Sequence, residues 1–83
     1  MSRNALQRNL PPLIGKKLSA TGYRRLLGMA REQIRMWRHE QSSLRQQLAE
    51  TNDEAFEYMI NYTKTVIRQW QQFHDAWQKE MNT

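Results

Sequence analysis

Arg31 and Arg35 lie four residues apart, so a helix through them carries two guanidinium groups one turn from each other. Each guanidinium presents a planar fork of donors that fits the O6/N7 edge of guanine or the oxygens of a phosphate. Glu32 can accept from cytosine N4 or orient a neighbouring arginine, Ala30 can meet a thymine methyl, and Met36 and His39 continue the same stretch. Ala30, Arg31, Glu32, Arg35, Met36 and His39 are therefore the candidate base contacts, led by Arg31 and Arg35. Lys16, Lys17, Arg24, Arg25, Arg38 and Arg45 are candidates for phosphate contact, which positions a protein on a duplex without reading its sequence.

Charge supports an anionic partner for this half of the chain. Residues 1–45 hold ten Lys/Arg against Glu32 and Glu40, a balance of +8, whereas residues 46–83 hold three against six, a balance of −3. A polyanion is drawn to the first half, where it releases counterions, and repelled by the second. Enzyme chemistry has little to stand on. His39 and His74 are far apart, cysteine is absent, and no glycine-rich phosphate loop occurs, so neither a metal-ligand cluster nor a thiolate nucleophile can be assembled. Glu50, Asp53, Glu54 and Glu57 read as helix-cap and surface charge rather than a paired acid and base. No enzyme activity, cofactor or metal is expected. No apolar run reaches the roughly 18 residues of a membrane span, and no apolar secretory segment is seen, so a cytoplasmic location is the expectation.

The elements that must position these residues all read as helical. Residues 1–18 form a basic arm, in which Pro11 and Pro12 forbid a continuous helix. Ser19 or Thr21 can cap a first helix, with Tyr23 and Leu27 on its apolar side, ending at Gly28, where a left-handed glycine lets the chain turn. A second helix starts near Ala30 and continues through Ile34, Trp37, Gln41, Leu44 and Leu48 to about Glu50, so residues 19–50 form one helix-turn-helix segment with an extended second helix. Thr51 followed by Glu54 matches a capping box that opens a third helix over residues 51–83 of the same domain. Its stripe, Phe56, Ile60, Thr63, Ile67, Trp70, His74, Trp77 and Met81, is flanked by Met59, Val66 and Phe73. That is more apolar surface than a small head can cover. The long helix is expected to fold back on the second helix, to pair with a second copy, or both, with Phe56, Ile60, Ile67, Trp70, His74 and Trp77 as the interface of a homodimer.

The run SATGYRRLLGMAREQIRMWRHE resembles the helix-turn-helix of small phage and bacterial DNA-binding regulators, among them Cro-like and repressor-like proteins and excisionases. Tyr23, Leu27, Gly28, Met29, Ile34 and Trp37 fall on the structural positions of that motif, while Arg24 stands where the family carries a small residue at the helix crossing. The resemblance implies a sequence-specific double-stranded DNA binder that regulates transcription, a repressor of phage or mobile-element type, acting as a dimer without a strand wing. The competing readings are a helical inhibitor or adaptor that grips an acidic partner protein, and a DNA-packaging or assembly subunit.

Overall fold

The computed structural model describes Leu13 and residues 15–83, which contain two helices and no strand: α1 (Ala20–Thr51) and α2 (Glu54–Met81). The all-α expectation holds. Most of the expected arm, residues 1–12 and 14, lies outside the described residues. The helices form an antiparallel hairpin, shown by the pairs Tyr23 with Glu80, Arg31 with His74 and Gln41 with Thr63 along its length.

Ser19 caps α1 as expected, its hydroxyl accepting from the Gly22 N–H at 3.0 Å. The expected turn at Gly28 is absent. Gly28 is helical, and only Gly15 among the glycines has a positive φ. The reason is phase. Tyr23, Leu27, Ala30, Ile34, Trp37, Gln41, Leu44 and Leu48 alternate steps of four and three straight through the glycine, so one unbroken helix keeps them on one line facing α2. A helical glycine costs about 1 kcal/mol relative to alanine, and fully burying one large apolar side chain is worth about 1.5–3 kcal/mol. Leu27 and Tyr23, each 3% exposed on the N-terminal side of Gly28, decide that balance. Ser42 and Ser43 do not interrupt the helix either.

α1 ends at Thr51, whose hydroxyl donates to the Gln47 carbonyl, and Asn52 follows in the left-handed conformation at φ 56° with its N–H on the Leu48 carbonyl. The cap of α2 is Asp53, which accepts from the Ala55 N–H at 3.0 Å. The expected capping box on Thr51 is thus corrected by two positions. Thr51 is held in the last turn of α1, and a link of two residues leaves α2 no course except back along α1. Glu54 and Glu57 lie in the first turn of α2 and suit its positive end.

In heptad terms, Leu27, Ile34, Gln41 and Leu48 are a positions and Tyr23, Ala30, Trp37 and Leu44 are d positions of α1. Ile60, Ile67, His74 and Met81 (a) and Phe56, Thr63, Trp70 and Trp77 (d) answer from α2. The densest packing is at the open end, where Tyr23, Leu27 and Ala30 meet Phe73 and Trp77, with Leu18, Leu26, Trp70 and Met81 around them. Phe73 widens the seam on its g side, with its ring centroid 5.4 Å from that of Trp70 and 5.8 Å from that of Trp77. The Tyr23 hydroxyl lies 3.1 Å from the Lys16 carbonyl and 3.3 Å from Glu80 Oε1, tying the entry of α1 to the end of α2. At mid-hairpin, Gln41 Nε2 donates to Thr63 Oγ1, which donates to the Ile60 carbonyl. This polar layer sets the register of the two helices. Gln69 is the exception: its buried amide nitrogen has no hydrogen-bond partner, an omission that costs roughly 1–3 kcal/mol. Among the described residues no helix is long and apolar enough to cross a membrane, and no group of His, Asp and Glu could hold a metal ion.

Candidate functional site

The heptad register sorts the charged residues onto faces. Arg24, Arg31, Arg38 and Arg45 recur every seventh residue, all at e, and α2 sets Glu57, Lys64, Gln71 and Gln78 against them. In an antiparallel helix pair, e positions face e positions across the seam. A carboxylate there ordinarily answers each cation. Here the middle of the seam gathers Arg38 and Arg45 with Gln71, Lys64 and, one position further round, Arg68, while Glu57, nearer the tip, forms no ion pair with the row. These residues line one open cleft with Gln41, Ser42 and Ile67. A second cleft continues it through Arg31, Ile34, Arg35, Arg38, Gln71, His74 and Asp75.

The two clefts share Arg38 and Gln71, and together they form a basic groove on one face of the hairpin. At about 1.5 Å per residue, Arg24 to Arg45 spans roughly 31 Å with cations about 10 Å apart. Among the described residues no ion pair joins the helices. The two short charge contacts are local: Arg35 with Glu32, one turn apart, and His74 with Asp75 at 3.4 Å. Arg31 Nη1 lies 3.4 Å from His74 Nε2, and His74 Nδ1 faces Asp75 Oδ1 on its other side. The Arg35 guanidinium, by its hydrogen bond first and its charge second, holds the Glu32 carboxyl below its ordinary value, and Glu32 correspondingly raises Arg35. Both lie at the surface, so the pair contributes little to stability.

The candidate base contacts do not share a face. Arg31 and Arg35 belong to the basic groove. Ala30 is fully buried in the core and cannot meet a base. Glu32 and His39 point outward at f, and Met36 lies at c on the opposite side, beside Trp37 and Glu40. Met29, expected to lock the helices together, is 44% exposed there as well. Of the candidate phosphate contacts, Arg24, Arg38 and Arg45 are on the arginine row, Arg25 is at f, and Lys16 and Lys17 are exposed ahead of α1. The expected dimer interface is used within the chain. Ile60, Ile67 and Trp77 are buried in the seam with α1, and Phe56, Trp70 and His74 are half-buried in it, because α1 is long enough to cover the stripe.

Lys64, Arg68 and Gln71 are site residues that the sequence reading missed, since they sit in the acidic half and join the groove only when α2 folds back. The period of seven linking Arg24 to Arg45 was the signal that could have exposed them. No protein-family model, curated protein or solved structure matches this chain.

Proposed function

We propose that the protein binds double-stranded DNA by laying its basic groove along the phosphate backbone, as a small DNA-binding regulator. The observation that carries this reading is the row Arg24, Arg31, Arg38 and Arg45 with Lys64 and Arg68 beside it, none of which, among the described residues, forms an ion pair with a carboxylate of the facing helix. Like charges concentrated along a seam repel one another, and an external polyanion relieves that repulsion while releasing its own counterions. Contact of this kind is dominated by phosphate, and sequence preference rests on Arg31 and Arg35 alone.

The test is fluorescence anisotropy of a labelled duplex over a salt series. Each phosphate contact adds about 0.9 to the slope of log affinity against log salt. Changing Arg31, Arg38 and Arg45 together to alanine should lower that slope by about 2–3, and Arg25→Ala, off the row, should leave the slope unchanged. Equal slopes for wild type and triple variant would sink the reading. The same spacing also matches an acidic helix, so a wild type that ignores duplex DNA yet binds an acidic helical peptide through these arginines selects the adaptor reading instead.

A further inference from the structure

Opposite the basic groove, the hairpin has a face of different chemistry. Its g positions are Leu26, Gln33, Glu40 and Gln47 on α1 and Met59, Val66, Phe73 and Glu80 on α2; its c positions include Met29, Met36, Tyr62 and Gln69. Nine lysines and arginines lie within the two helices, five at e, two at b and two at f, and none at g or c. Met36 is 50% exposed, Met29 44%, Met59 42% and Tyr62 56%. Tyr62 stands edge-on to Trp37, their ring centroids 6.0 Å apart. A two-helix seam needs apolar residues only at a and d; adding g in α2 gives the wider stripe of a helix that packs against more than one neighbour. The partnerless amide of Gln69 is at c on this same side.

We infer that this face is covered by a second copy of the chain, forming an antiparallel four-helix bundle that carries one basic groove on each outer side. Charge selects both the occupant and its direction. The hairpin tip carries Glu50, Asp53, Glu54 and Glu57, and the open end carries Lys16, Lys17, Arg24, Arg25 and Lys79 against Asp75 and Glu80. A two-fold axis that runs the copies antiparallel sets each acidic tip beside a basic end, whereas a parallel pairing sets tip against tip. The chain is thus complementary to itself. Because e and g positions flank the seam on opposite sides, burying the g/c faces turns both arginine rows outward. Resting on the DNA reading above, the dimer then holds two duplexes at once, one on each side, and bridges them.

Sedimentation equilibrium without DNA tests the interface, and a bridging assay tests its consequence. Wild type should sediment at twice the 10.0 kDa chain mass. Met36→Glu with Tyr62→Glu, and separately Met29→Glu, should sediment as monomers with unchanged helical circular dichroism, since about half of each of these residues is exposed in the hairpin and none is in the buried core. A monomeric wild type overturns the inference, as does a dimer that persists in both variants. Bead-bound duplex should retain a second, fluorescent duplex when wild type is added; the monomeric variants should bind duplex yet retain at least tenfold less of the second. A dimer that holds only one duplex at a time overturns the bridging arrangement. Failure of a dimeric wild type to bind any duplex refutes the DNA reading and bridging with it, a result distinct from loss of the dimer.

Discussion

Glu32 is the residue that restrains the basic groove. It sits at f, one turn from Arg35, and their ion pair engages a guanidinium that lines the groove. Glu32→Gln should free Arg35, tighten duplex binding at pH 7 and steepen the salt slope by up to about 0.9. The pH dependence has a definite sign. The carboxyl is held below its ordinary value in the folded chain, so the pair's contribution is complete above that ordinary value. As pH falls through the depressed value, that contribution is lost and Arg35 is released. Wild type and Glu32→Gln should therefore converge in duplex affinity as acid protonates Glu32, when anisotropy is read across pH at fixed salt. Identical behaviour at pH 7 would show that Arg35 does not contact the duplex.

For the helices themselves, Gly28 offers the sharpest test. A Cβ built on it meets nothing within 4 Å, and its backbone is helical. Gly28→Ala should stabilise the protein by about 0.5–1 kcal/mol, raising Tm by several degrees in a thermal melt. A left-handed turn at that position gives the opposite sign, so a destabilised variant would restore the helix-turn-helix. The glycine also shows how far the sequence could be read. The apolar stripes and the break near residues 51–54 were plain from spacing, and the first cap was narrowed to Ser19 or Thr21. Ala30 was not, because a small residue counts equally well as a surface methyl or as the close-contact point under Phe73 and Trp77. Reading it as surface divided one continuous phase into two helices and made Gly28 a hinge. The site was legible by half for a related reason: the arginines of α1 are visible in the sequence, whereas Lys64 and Arg68 depend on which way α2 returns.

As a whole molecule the chain is a plate one helix thick, with principal extents of 48, 29 and 14 Å. Among the described residues, eight apolar side chains are buried, all along or beside the seam between the two helices. A layer this thin gains stability from whatever covers its uncharged side. If a second copy does so, Tm should rise with protein concentration, by mass action on the folded state. Scanning calorimetry over a hundredfold concentration range reads this directly, and a midpoint independent of concentration counts against the dimer.

The link between the helices has one further consequence. Asn52 in its left-handed conformation and Asp53 as the next cap leave no slack, so they set the rotation of α2 about its own axis as well as its direction. One residue more or less in a helix turns everything beyond it by about 100°. A single-residue insertion early in α2 would swing Lys64 and Arg68 out of the groove and bring Met59 and Tyr62 into the seam, whereas a deletion there would turn Lys64 and Arg68 themselves into the seam. Length at this corner is thus as strictly constrained as residue identity is in the core.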